Sequence, residues 1–205
     1  MRKLIILLIA CTVAIPLFSQ DSFYIKVHFL YGSKPKRAFK ATEPKWFGGK
    51  LGGHVGIESN SNRILNFVPK GTFHVFFNNK NRHSGYAEHT GHAFYGILGG
   101  NPDSVKKTIV LVPVSLQQKR MFDSIATCYL ANTPYDYAFF GMRCGAATYE
   151  VLAQLGILKK YTNRKTYRKI FYPKKLRKRL LKKAKQEGWT VIKQQGSCKR
   201  KWERD

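Results

Sequence analysis

HVGIESNSNRILNFVP, residues 54–69, is two strands and the turn between them. HVGIE (54–58) and RILNFV (63–68) are rich in apolar and β-branched residues, and SNSN (59–62) is the polar turn that folds one back on the other. Paired in that way, Asn66 comes to lie beside His54, which opens the first strand directly after Gly52-Gly53. An amide oxygen at that place accepts the imidazole N–H and aims the ring. The two glycines leave room beside the histidine for a substrate or a helix to approach.

Farther along lies GMRCGAATYE, residues 141–150. Cys144 opens a helix, CGAATYEVLAQLG (144–156), with Ala147, Val151, Leu152 and Leu155 on one side and Gly156 at its C-cap. A thiol at a helix N-terminus feels the helix dipole, which lowers its pKa, and Arg143 beside it acts in the same direction. Acyl transfer also needs a base and a group to orient that base. His54 and Asn66 supply both, giving Cys144, His54 and Asn66 as candidate catalytic residues. Glu58 is the alternative orienter, but in a regular strand it stands roughly 13 Å from His54 along the chain. Tyr137 and Tyr135 are candidates for oxyanion or substrate contact.

HVGIESNSNRILNFVP, followed ninety residues after His54 by a cysteine that opens a helix, resembles the circularly permuted papain-like fold. That group includes the YiiX-like bacterial proteins, relatives of the NlpC-type cell-wall peptidases, and the lecithin–retinol acyltransferase family. In it the histidine lies on a strand ahead of the cysteine, and a polar third residue follows on the next strand. The cysteine begins a helix after a Tyr-Asp-type segment, here Tyr135-Asp136-Tyr137. The resemblance spans roughly residues 50–155 and implies a cysteine hydrolase or acyltransferase without a cofactor. Two positions depart from the pattern. Gly145-Ala146 stands where permuted members often carry Ser-Glu or Glu-His, and Asn66 stands where His or Glu is more frequent. Substrate class therefore stays open between a cell-wall peptide and a lipid acyl group.

Around this centre strands come first and helices follow, an order that suggests α+β. FYIKVHFLY (23–31) sets Phe23, Ile25, Val27 and Phe29 against Tyr24, Lys26 and His28, a strand with one face in a core. TFHVFF (72–77) is expected to be a further strand, and 78–104 a long polar loop. TIVLVPV (108–114) is expected to be buried on both faces up to Pro113. Ser115-Leu116-Gln117-Gln118 matches a capping box before a helix that runs to about Ala131. Met121, Phe122, Ile125, Cys128 and Tyr129 form its apolar stripe, with Cys128 as a buried thiol rather than a partner of Cys198. YPKKLRKRLLKKAKQEG (172–188) is a basic helix with a thin stripe of Leu176, Leu180, Leu181 and Ala184, and WTVIKQ (189–194) a short final strand. The expected architecture is an antiparallel sheet packed against helices, on a permuted papain-like plan. Residues 21–158 form its catalytic domain, and 159–205 a basic C-terminal extension.

The first 20 residues have the layout of a secretory signal peptide, with Arg2 and Lys3 ahead of an apolar run from Leu4 to Phe18 and a cleavage point near Ser19–Asp21. The run is short for a membrane span, which needs about 20 residues. Leu8-Ile9-Ala10-Cys11 only loosely matches a lipoprotein box. An exported protein, periplasmic or secreted, is expected, and a monomer. Of 205 residues, 37 are Lys or Arg and 11 Asp or Glu, a formal charge of +26. Residues 159–205 hold 19 of the cations against 3 acids. Such a field attracts polyanions. Export favours an anionic membrane or glycan surface over nucleic acid, with Lys174, Lys175, Arg177, Lys178, Arg179, Lys182, Lys183 and Lys185 as the contacts. HSGYAEHTGH (83–92) offers His83, Glu88, His89 and His92, but the spacing is loose and reads as a solvated loop. No metal or cofactor is expected.

Overall fold

The computed structural model describes residues 23–46, 49–59 and 62–205. The expected leader, its cleavage point and the middle of the SNSN turn lie outside the described residues. Strand β1 (Phe23–Leu30) runs through the middle of the main sheet because its alternate residues Ile25, Val27 and Phe29 are fully buried. The other strands are β2 (Ser33–Pro35), β3 (His54–Glu58), β4 (Arg63–Pro69), β5 (Ser84–Thr90), β6 (Lys107–Val114), β7 (Val191–Gln194) and β8 (Arg200–Trp202). The helices are α1 (Gly91–Gly96), α2 (Leu116–Ala131), α3 (Cys144–Gln154), α4 (Asn163–Lys169) and α5 (Pro173–Glu187). Six strands make one antiparallel sheet in the order β5-β4-β3-β1-β6-β7, while β2 pairs with β8 apart from it. The fold is α+β, an antiparallel sheet packed against helices.

Each sheet face has its own core. Ile25, Val27, Phe29, Val55, Ile57, Leu65 and Phe67 pack against Phe122 and Ile125 of α2, the small residues of α3, and Leu176 and Leu180 of α5. Leu30 and Ile64 instead join Trp46, Val105 and the aromatics Phe94 and Tyr95 of α1. This second core is why His28, expected on a solvated face, is buried, with Nε2 2.9 Å from Glu58 and Nδ1 2.7 Å from the Tyr95 hydroxyl.

Four expectations fail for identifiable reasons. Residues 72–77 are not a strand: β5 already occupies the free edge of β4, and only an isolated bridge links His74 to Ala138. The stretch 78–104 is not all loop, since β5 and α1 lie within it. β6 alternates between buried and half-buried residues instead of being buried on both faces. Cys128 is exposed and unpaired, as is Cys198. The inward stripe of α2 is Phe122, Ile125 and Ala126, and Met121 and Cys128 lie beside it rather than on it. The capping box at Ser115 forms as its sequence suggests.

Residues 159–205 are woven into the same structure. β7 extends the sheet beyond β6, and Leu176, Leu180 and Ala184 of α5 are buried in the main core. Burying such leucines contributes about 1.5–3 kcal/mol each, so the thin stripe faces inward and the basic face outward. Arg177 departs from that division. It is fully buried, 2.9 Å from Glu203 and 2.9 Å from Asp205, with its guanidinium 3.6 Å from the centre of the Tyr31 ring. A surface-binding role for Arg177 is excluded by that burial. Among the described residues no helix is long and apolar enough to cross a membrane.

Candidate active site

Helix α3 starts at Cys144 because Arg143 is extended (φ −137°, ψ 173°) and the next residues are small enough to bury the whole first turn. No side chain caps this end. The first-turn N–H groups have no intrahelical partners, and that of Cys144 meets the Tyr137 hydroxyl. Gly145 suits this close approach: a Cβ on it would lie 3.1–3.2 Å from the backbone of Pro173, where α5 begins, and would press the two apart. The departure at Gly145 thus has a local cause, since the start of α5 covers the start of α3.

His54 opens β3 and rests against Phe94 of α1, with ring centroids 5.3 Å apart. Antiparallel register sets Gly56 opposite Asn66, which places Asn66 diagonally next to His54. Gly56 makes this possible, because a Cβ on it would meet Ile64 at 2.6 Å and the Asn66 Cβ at 3.0 Å. Gly52 and Gly53 line the same cavity as His54 and Cys144, and Gly53 also lets two backbone segments meet. Its missing side chain admits the backbone of Leu30 and Gly32, not helix α3.

The Asn66 amide is fixed on its nitrogen side. The two Nδ2 hydrogens are shared among the carbonyls of Ile64 (3.0 Å) and Ala87 (3.1 Å) and His89 Nδ1 (2.8 Å). Its Oδ1 therefore faces His54 Nε2 at 2.9 Å and accepts the proton that nitrogen carries. The remaining ring nitrogen, Nδ1, is left for Cys144, with which His54 shares a hydrogen bond. Cys144, His54 and Asn66 are all buried.

Burial pushes the Cys144 thiol up. The charge and hydrogen bond of His54, the Tyr137 hydroxyl and the Arg143 charge outweigh it, so Cys144 lies below the usual thiol range. Burial pulls His54 down, and the Cys144 charge and the hydrogen bonds of Cys144 and Asn66 raise it above its ordinary value. Both directions favour a thiolate beside an imidazolium. Tyr137 sits with its hydroxyl 3.9 Å from Cys144 Sγ. Burial, and then the Cys144 charge, hold it well above the ordinary tyrosine value, so it keeps its proton.

Tyr135 is placed differently. Its hydroxyl bonds the Tyr86 hydroxyl (2.5 Å) and reaches toward Glu150, inside the core and off the cavity wall. The role proposed from sequence for Tyr135 at the substrate does not fit that position. Glu58 is held by Lys26 and His28, which leaves Asn66 as the orienter. His83, Glu88, His89 and His92 go separate ways. His83 bonds His74, Glu88 pairs with Arg63, His89 bonds Asn66, and His92 is exposed on α1. Glu88 and His89 lie on β5 and His92 on α1, while His83 stands in the loop just before β5. Among the described residues no cluster of His, Cys, Asp and Glu could hold a metal ion.

Two residues gain importance over their reading in sequence. His89 lines the cavity, and burial, with the neighbouring His54 charge, lowers its pKa. It stays neutral and so accepts from Asn66. Arg143 stacks on Phe171, 3.6 Å from the ring centre, and bonds the Phe171 carbonyl. Its Nε is buried without a hydrogen-bond partner. Cys144, His54, Tyr137 and Arg143 all line one cavity of about 750 Å³, whose walls are mostly apolar: Leu51, Val68, Ile97, Leu98, Phe139 and Phe171. No family model, curated protein or solved structure matches the chain.

The electrostatics give a testable pH dependence. Alkylation of Cys144 requires the thiolate, so its rate rises with pH and levels off above the folded pKa. Because that pKa is lowered, the plateau is reached below the ordinary cysteine value of about 8.5. His54→Ala removes the largest lowering influences and leaves burial to act, so the plateau moves to alkaline pH. Iodoacetamide labelling read by peptide mass separates Cys144 from the exposed Cys128 and Cys198. A His54→Ala profile that overlays the wild type would contradict the pairing.

Proposed function

We propose that the chain is an exported cysteine hydrolase or acyltransferase on a permuted papain-like plan, cleaving an amide or ester bond. What supports this is a buried thiol at the start of a helix, its pKa lowered chiefly by His54 on the same cavity wall, with His54 Nε2 2.9 Å from Asn66 Oδ1. The Cys144 thiolate attacks the carbonyl carbon, and the carbon–oxygen π pair moves to oxygen. The first-turn N–H groups of α3 and the Tyr137 hydroxyl receive that oxyanion. His54 Nδ1–H protonates the departing amine or alcohol as the tetrahedral intermediate collapses to a thioester. His54, now neutral, takes a proton from water or an acceptor alcohol, which attacks the thioester and restores the thiolate. No metal or organic cofactor enters the scheme. The apolar cavity wall favours a lipid acyl group over a cell-wall peptide, whose polar backbone and side chains would find few partners there. The cations of α5 that stand free of the core, Lys175, Lys178, Arg179, Lys182 and Lys185, with Lys174 and Lys183 half-buried, would draw the molecule to an anionic envelope surface.

The test is turnover of soluble short-chain and long-chain thioesters and esters, with a labelled wall peptide in parallel. A mass shift on Cys144 equal to the acyl group is expected for the esters. Absence of acylation with every acyl donor, in protein whose Cys144 alkylates rapidly, leaves the second reading: a non-catalytic papain-like module that binds anionic surfaces. Asn66→Ala is expected to lower kcat about ten- to a hundredfold. It strips His54 of one buried hydrogen bond, which costs about 1–3 kcal/mol. A loss as large as that of the nucleophile variant, in folded protein, would contradict the assigned roles.

A further inference from the structure

The mouth of the cavity is ringed by apolar side chains that folding leaves in water. Leu51, Ile97 and Phe139 line the cavity and are also exposed. Phe140 packs edge-on to Phe139 at 4.9 Å, and Phe76 stacks on Phe140 at 5.5 Å. Val75 and Phe77 are each 55% exposed and Phe76 69%. Such a contiguous patch is unusual on a monomer and marks an interaction surface.

This rim is built rather than loose. The N–H groups of Phe139 and Phe140 donate to the carbonyls of His74 and Val75, both at 2.8 Å. His74 Nδ1 lies against the fully buried Asp136, which also accepts from the Asn78 N–H at 2.9 Å and the Ser84 hydroxyl at 3.1 Å. Asp136 thus clamps the two aromatic segments together with their rings turned outward.

Charge around the rim has one sign. The segments that carry its residues, 49–57, 68–87, 89–102, 137–149 and 171–186, contain no Asp or Glu, and Asp136 beneath them is fully buried. Lys50, Lys70 and Lys174 each adjoin a residue that lines the cavity. Exposed aromatics inside a cationic, carboxylate-free border complement a surface that is anionic outside and apolar just beneath. A hydrated polyanionic glycan would satisfy the lysines but give Phe76 and Phe77 nothing to bury against.

We propose that the cavity mouth is a membrane-docking surface: Phe76, Phe77 and Phe140 insert at the headgroup–acyl boundary of an anionic bilayer, and the bordering lysines hold its phosphates. On the acyl-transfer reading above, on which this consequence rests, an acyl chain passes from the bilayer into the cavity without crossing water.

The experiment is flotation of the mature protein with vesicles of phosphatidylglycerol and phosphatidylcholine in equal parts. Phe76→Ser with Phe77→Ser is expected to weaken binding about thirtyfold, since two aromatic side chains lose their insertion. Both are exposed, so the fold and the alkylation rate of Cys144 stay unchanged. Phe76→Trp supplies a second measurement: its emission shifts to the blue when vesicles are added. Unchanged flotation of the double serine variant, or no shift of the tryptophan, overturns the docking surface. Equal binding to pure phosphatidylcholine overturns the anionic preference. Self-association that the serine variant abolishes, without vesicle binding by the wild type, assigns the rim to a second copy and overturns the proposal. Cys144→Ala should float like the wild type, so a failure of catalysis is read separately from a failure of docking.

Discussion

Cys144→Ala is expected to lower turnover by about 10⁵- to 10⁶-fold, with no acyl-enzyme detected by mass. The size follows from the order of groups around the sulfur. Every step of the proposed reaction forms or breaks a bond to that atom, so its removal leaves only binding and the oxyanion donors. His54→Ala should come close to the same loss for a different reason. Without the imidazole the buried thiol loses the largest influences that lower its pKa, and no group remains to protonate the leaving atom. The losses will not add, because the two residues act as one unit. Folding is not the explanation. Removing one buried sulfur costs about 1 kcal/mol, so circular dichroism and the melting temperature should stay near those of the wild type. Retention of more than about a hundredth of the activity would end the claim that Cys144 is the nucleophile.

The largest expected effect on stability lies far from the thiol, at Arg177. Arg177→Met leaves Glu203 buried without its cation and deprives Asp205 of one. Removing one partner of a buried pair costs about 3–5 kcal/mol. Against a total stability of about 5–15 kcal/mol, that is a large share. For a domain of this size it corresponds to a fall of about 10–15 °C in Tm. Lys178→Gln, one residue on and exposed, should move Tm by only a degree or two. Arg177→Met with Glu203→Gln is expected to recover part of the loss, since the stranded charge is then gone. Calorimetry on the three variants distinguishes a buried pair from a lost surface cation. If Arg177→Met and Lys178→Gln melt together, the buried pair has no such weight.

The sequence made the local patterns visible and concealed those that depend on pairing. β1, β3, β4, α2, α3 and α5 carry their own apolar period, so residues 54–58, 63–68, 144–156 and 172–188 are legible without a partner. β5 has only Tyr86 and Ala87 as apolar members, and its identity comes from the ladder with β4. His89 was missed at the site for that reason, because only the register of β5 against β4 brings it to Asn66. Residues 72–77 misled in the opposite direction. They look like a strand because alternating large residues normally mean a buried face, whereas here three of them stand at the cavity rim. Arg177 was misplaced because a cation in a run of cations gives no sign of turning inward, and its partners lie 26 and 28 residues away. Cys144, His54 and Asn66 were legible together because a helix start and a two-strand turn fix their positions locally.

The last residues of the chain bond to the first strand and its sequel. The Tyr31 hydroxyl meets Asp205 across 174 positions, and Arg200 meets Ser33 across 167. β1 is also the strand on which both cores are built. Contacts of such separation delay folding, because the entropy of closing a long loop must be met before they form. A growing chain that lacks its last few residues cannot seat Arg177, whose carboxylate partners are Glu203 and Asp205. The fold therefore completes only after synthesis of the described residues is over. Were the proposed export to pass the chain through a membrane unfolded, that delay would keep it open until it had crossed.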